Sequence, residues 1–371
     1  MTDLNELKKR TSNFELLRII MMLLIVASHF ASHGKFEFSN ETISINRLWI
    51  QFITIGGKIG VNIFVLISGY FLIDSSKYKS IKSVRMWFQM FTYSIVAFGV
   101  FVCFLKTADF SIKGLIKSVF PITFRGGWWF ARAYFILYIL SPFINRFLHA
   151  MDKKEYQRFL IIMTSMWCII PTITGQTLES NELLWFMYLY SLIAYFKIYK
   201  NEINISGSKC ICFATINMVI TFTSVIIFDI IGTKIRFFAD HALFFYGMQC
   251  MLTVISSMLL VIGFSKINIG YKKYINIISS ATFGVYLIHE NNYVKSFLWE
   301  RLFKNASYSD SNFLIPYSII VTLFVFVMGT IIELLRKNLI ENHSYRLFSF
   351  VSNKIDGAIE KIQSTKLFRD E

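Results

Sequence analysis

Apolar positions in this chain fall in long unbroken runs separated by short polar stretches. Ten such runs approach the length that a bilayer demands, at approximately residues 16–33, 52–72, 86–106, 128–148, 158–174, 182–199, 209–231, 242–264, 275–294 and 313–335. No loop between them is long enough for a soluble domain, and no internal repeat or low-complexity tract is visible. The pattern predicts an all-α, polytopic membrane protein with about ten transmembrane helices. It forms one domain over residues 1–335, followed by a basic tail over 336–371 suited to an amphipathic helix on the inner membrane surface.

Composition agrees. The chain is 55% hydrophobic and 17% aromatic, which leaves too little polar surface to cover a soluble core. The opening "KKRTSNFELLRIIMMLLIVASHF" has the basic start and apolar run of a signal peptide. Arg18 interrupts that run, however, and no small-x-small cleavage site follows, so a retained first helix is expected.

The formal net charge of +15 raises nucleic acid as a partner, but no basic domain stands outside the apolar runs to bind it. An even number of spans puts both termini on one side. With that side inward, the inner segments hold about twice the Lys and Arg of the outer ones, so both termini are expected in the cytoplasm. Five cysteines, mostly inside apolar runs, form neither a disulfide framework nor a Cys/His zinc pattern, and no metal site is expected.

With the basic residues near the span ends counted in the flanking segments, three are left inside the spans: Arg18, Lys58 and Arg132. An ionisable group at membrane depth is costly unless it faces protein or water, which makes each a functional candidate. Arg18 and His29 are eleven residues apart, close to three full helical turns. They therefore share one face of the first helix, about 16 Å apart along its axis. Taken singly, Arg18 also reads as a snorkelling residue paired with Glu15, and His29 also as a satisfied core histidine. Together on one stripe they favour a site. His289, with Glu290 beside it, and Lys58 and Arg132 are predicted in the outer half of the membrane, lining a wet cavity open to the outside. Gly56, Gly57, Gly60 and Gly69 allow close helix approach in the second span. On the inner side, Lys77, Lys79, Lys82 and Arg85 form a patch suited to phosphates, although positive-inside bias alone produces such a patch.

The chain holds no GxSxG, P-loop or HExxH motif and no usefully spaced pair of carboxylates, which removes support for hydrolase and metalloprotease chemistry. What remains is an anionic ligand entering from the cytoplasm and a histidine base reaching outward. A long, thin donor such as an acyl-CoA would join the two.

Four blocks then carry a resemblance. "RIIMMLLIVASH" fits an Arg-x10-His signature in a first helix; "GVNIFVLISGYFL" (60–72), "WWFARAYFILYILSPFI" (128–144) and "ATFGVYLIH" (281–289) follow in the expected order. The sequence resembles the bacterial integral-membrane acyltransferases of family three, which O-acetylate cell-surface glycans. The resemblance implies a multi-pass enzyme of the bacterial inner membrane. It would take acetyl from cytoplasmic acetyl-CoA, with no permanently bound cofactor, and deliver it to a hydroxyl of a capsular or other surface polysaccharide or its lipid-linked precursor. The catalytic Arg and His of the family map onto Arg18 and His29. Its cytoplasmic Arg-x-x-Arg pair maps onto Lys82 and Arg85, a departure because Lys lacks the bidentate fork. Tyr286 and His289 would line the acceptor side with Lys58 and Arg132. The SGNH-like domain of some members is not seen, so transfer is expected to finish within the membrane domain. The alternative is a polysaccharide or lipid-intermediate transporter, but the sequence shows neither the pseudo-symmetric halves nor the broken helices that would favour it. A membrane scaffold would have no use for buried charges.

Overall fold

A computed structural model of the chain describes residues 11–39, 41–75, 78–107, 109–123, 127–199 and 205–363. Lys8, Lys9, Arg10, Lys77, Arg125, Lys200 and the end of the tail lie outside the described residues. Among the described residues there is no strand, and each of the ten predicted runs falls mainly on helix. The protein is an all-α polytopic membrane protein. Its main helices are α1 (Asn13–His33), α2 (Ile45–Leu72), α3 (Ser80–Phe104), α4 (Trp129–Ala150), α5 (Lys153–Thr174) and α6 (Glu182–Ile198). They continue with α7 (Gly207–Gly232), α8 (Met251–Lys266), α9 (Lys273–Ser280), α10 (Thr282–His289), α11 (Leu314–Arg336) and α12 (Tyr345–Gln363).

Among the described residues, seven helical segments are long and apolar enough to cross a membrane. The outward faces show the same thing. On α7, Phe213, Ile216, Val219, Ile220, Ile227 and Ile230 are all exposed, an arrangement that water would not tolerate but lipid does. In contrast, α1 sits near the centre of the bundle, with Leu17, Val26 and Phe30 fully buried.

Close approach of α1 and α2 comes from the predicted glycines. A Cβ on Gly57 would lie 2.2 Å from Ser28 Oγ, and one on Gly60 would lie 2.8 Å from Ile25 Cγ1. Only a bare backbone at these positions lets α1 lie so near, as small residues do in membrane helix pairs. The start of α1 is tied down as well. Asn13 Nδ2 donates to the Phe264 carbonyl at 2.6 Å, and Ser12 Oγ donates to Asn276 Oδ1 at 2.9 Å.

Three predicted spans need correction. The second begins at Ile45, not near 52, because Asn46 and Arg47 are buried with partners: Arg47 Nη2 donates to Asp229 Oδ1 of α7 at 2.7 Å. The eighth helix begins at Met251, not near 242. Irregular backbone before it is satisfied by side chains, the Met248 carbonyl by Asn62 Nδ2 at 3.0 Å and the Met251 N–H by Thr172 Oγ1 at 2.8 Å. Non-helical chain is tolerated among buried helices only on those terms. The ninth span is broken at Ala281 into α9 and α10 and ends at His289. A broken helix was not expected from the sequence. The basic tail does contain an amphipathic helix, α12, which clasps the start of α3: Ser80 Oγ is 2.6 Å from Ser352 Oγ and 2.8 Å from Asp356 Oδ2.

Candidate active site

Glu15, Arg18, Met22, Ile25 and His29 follow one another on α1 at steps of three and four, so they form a single stripe down the helix. All five line one cavity of about 260 Å³, closed on the other sides by α2, α4 and the broken α9–α10 pair. Arg18 and His29 therefore face protein-enclosed space rather than lipid.

At the Arg18 end of the cavity, Arg18 Nη1 donates to both carboxylate oxygens of Glu15, at 2.8 and 3.0 Å, and Ser279 of α9 holds Glu15 in turn. The guanidinium is thus fixed in direction, with part of its surface left free. Arg18 and Glu15 also line a second cavity of about 400 Å³ that includes Lys82 of α3, so the two cavities meet at this ion pair. Lys82 is exposed there, but Arg85 does not line it. Its guanidinium lies over the Tyr345 ring, 5.3 Å from the centroid. The predicted Lys82/Arg85 pair is therefore divided between the vestibule and α12.

At the other end, His29 Nδ1 is 2.9 Å from His289 Nε2. His289 is fully buried, and its Nδ1 is 2.6 Å from the Val285 carbonyl. A carbonyl only accepts, so His289 Nδ1 carries a proton, and in the neutral ring its Nε2 is an acceptor. His29 Nδ1–H then donates to it, which leaves His29 Nε2 with a free lone pair and no protein partner among the described residues. The break at Ala281 starts a new helix whose last residue is His289, and the i−4 carbonyl on that short helix fixes the ring.

Glu290 completes the cluster. Its Oε1 is 3.3 Å from His29 Nδ1 and 2.7 Å from His33 Nε2, and Lys295 Nζ lies 3.9 Å from Oε2. It also lines a cleft of about 990 Å³, the outer cleft if the expected topology holds, together with Arg132, Trp129, Trp185 and Lys295. Trp129 borders both this cleft and the central cavity.

Tyr286 lines the central cavity. Its hydroxyl is buried near the backbone of Phe130 and Ala131, with no partner in hydrogen-bond geometry. Lys58 is exposed and within electrostatic reach of Glu290 and His29. His289 does not line the outer cleft; it backs His29. His33 was not singled out in the sequence, although "HFASH" places it four residues after His29 on one helical face.

This geometry defines a class: a helical membrane protein with a charged path from one side to a histidine near the other. The sequence profile described as an acyltransferase domain matches residues 11–347. The chain belongs to this family, acyltransferase family three, and is a membrane acyltransferase. No curated protein and no solved structure matches it.

Proposed function

We propose that this protein is an O-acetyltransferase of the bacterial inner membrane. It would move acetyl from cytoplasmic acetyl-CoA to a hydroxyl of a capsular or other surface polysaccharide, or of its lipid-linked precursor. The observation that carries the reading is the common cavity: Arg18 and His29 open onto one space, and a vestibule with Lys82 meets that space at Arg18. A thioester on a flexible arm has to span such a distance if the bulky nucleotide stays in the vestibule. The Lys82 ammonium is placed to meet its phosphates.

In this scheme His29 Nε2 takes the proton of the acceptor hydroxyl as the oxygen attacks the thioester carbon. The C–S bond breaks, and the CoA thiolate leaves and recovers the proton from His29. Arg18 orients the arm on its way to the imidazole, with Glu15 and Ser279 holding the guanidinium. His289 and Glu290 fix the tautomer that makes His29 a base. The sugar would lie in the outer cleft, where Trp129 offers a ring face and Arg132 a charged donor.

A transporter is the reading that a broken helix favours, and the break at Ala281 is such a feature. Here, however, it builds the His289 backing of His29, and membership of an acyltransferase family weighs against transport. The test is His29→Ala in a strain whose surface glycan is followed by NMR. Acetyl signals should vanish, a loss of at least about 100-fold for removal of a general base, with the variant still present in membranes. Full acetylation by that variant would remove His29 from the chemistry.

A further inference from the structure

The cluster at the outer end of α1 has a property that base catalysis does not require. His29 and His33 are four residues apart on one helix, with ring centroids 5.2 Å apart, and both turn towards Glu290. One donor atom from each of the three lies within 4.8 Å of the other two. Two imidazoles at i and i+4 plus a carboxylate form a nitrogen- and oxygen-donor set of the kind that zinc-class ions take. In a tetrahedral zinc site with bonds of about 2.0–2.1 Å, neighbouring donors stand roughly 3.3 Å apart. His29 Nδ1 and Glu290 Oε1 are already 3.3 Å apart; His33 Nε2, at 2.7 Å from Glu290 Oε1, has only to open slightly.

Two further observations point the same way. His289 Nε2, 2.9 Å from His29 Nδ1, is available for the fourth position, and its other nitrogen is already engaged by the Val285 carbonyl. That is how outer-shell contacts orient metal-binding imidazoles. The cluster is also reachable. The side chains of His29 and His33 are 22% and 28% exposed, and Glu290 borders the outer cleft of about 990 Å³. A hydrated ion has both donors and a way in.

We infer that His29, His33 and Glu290 form a binding site for a zinc-class divalent cation arriving from the outer face, and that its occupation blocks transfer. The blocking part rests on the proposed role of His29. When the ion takes His29 Nδ1, the proton there moves to Nε2, and the lone pair that would accept the hydroxyl proton is gone. His33 likewise gives up its Nε2 proton, to its own Nδ1 or to water. No bond in donor or acceptor changes, so release of the ion restores the base.

The experiment uses the full chain, purified without a polyhistidine tag, treated with chelator and placed in nanodiscs. Zinc chloride is titrated calorimetrically into wild type, His33→Gln and Glu290→Gln, with circular dichroism to confirm helical folding. One zinc per chain is expected for wild type. In each variant the affinity should fall by more than about 100-fold, since losing even an outer-shell partner costs roughly 10–100-fold. Cobalt in place of zinc should give the intense visible bands of tetrahedral coordination in wild type alone. Absence of a one-site isotherm in wild type, or unchanged affinity in both folded variants, overturns the site. Acetyl transfer is then measured against zinc. Wild type should be blocked over the range in which it binds, and His33→Gln only at concentrations more than about 100-fold higher. Zinc bound with transfer unimpaired would overturn the block and the base role of His29, leaving the coordination intact. Zinc binding in a protein that never transfers acetyl would count against the proposed function alone.

Discussion

At the scale of residues, most of the chemistry rests on a few costly side chains and what each one touches. Lys82 and Arg85 show how far apart two neighbours can fall: one faces the inner vestibule, the other stacks on Tyr345. Lys82→Ala should therefore raise the KM for acetyl-CoA by about 10-fold, the value of one charge-assisted phosphate contact. Arg85→Ala should change KM less than about 3-fold, which steady-state assays in nanodiscs would resolve. The Arg18–His29 stripe was legible in the sequence because helical geometry alone fixes it. The link between His29 and His289 was not, since contacts 260 residues apart depend on how helices pack. His33 was legible in principle from its spacing. The spacing alone names no site, because the carboxylate partner, Glu290, lies 257 residues away and meets His33 only through packing.

At the scale of elements, the apolar runs mark where the helices lie among the described residues, because a helix in lipid must bury its own backbone bonds and expose greasy side chains. Boundaries failed where polar residues at depth have partners. Hydropathy counts Arg47 as a charge that ends a run, whereas the fold pairs it with Asp229 inside the bundle. It also reads Gly284 to His289 as one with the preceding segment, whereas the chain breaks at Ala281. The packing of α1 on α2 yields a sharper expectation. Gly57→Ala puts a methyl 2.2 Å from Ser28 Oγ, the neighbour of His29. The helices must part, and the His29–His289 contact should loosen. Overpacking of this kind costs about 1–3 kcal/mol. The variant should lose several degrees of thermal midpoint in detergent, together with most of its activity, whereas Gly357→Ala, where a Cβ meets nothing, should lose neither.

For the whole molecule, the ion pair of Arg47 with Asp229, which Gln51 Nε2 also reaches at 3.2 Å, joins α2 to α7 with side chains 7% and 0% exposed. Removing one partner leaves a buried charge without its counter-ion, a loss of about 3–5 kcal/mol. Asp229→Ala should melt well below wild type in detergent, and the double change Arg47→Met with Asp229→Leu should recover much of the difference. The expected orientation is tested separately. A green fluorescent protein fused after Gln363 should fluoresce, and alkaline phosphatase fused there should be inactive, if the C-terminus is cytoplasmic. The reverse result would invert the donor and acceptor sides assigned above.

One further property follows from the stripe of Glu15, Arg18, Met22, Ile25 and His29 on a single α-helix. An α-helix hardly stretches, so the rise of roughly 16 Å from the backbone of Arg18 to that of His29 is a fixed gauge rather than an adjustable gap. Whatever motion admits the two substrates must be made by the surrounding helices sliding or tilting around α1. A donor whose arm is shortened by even a few bonds should dock normally yet fail to react, because the protein has no joint between these two groups with which to make up the difference.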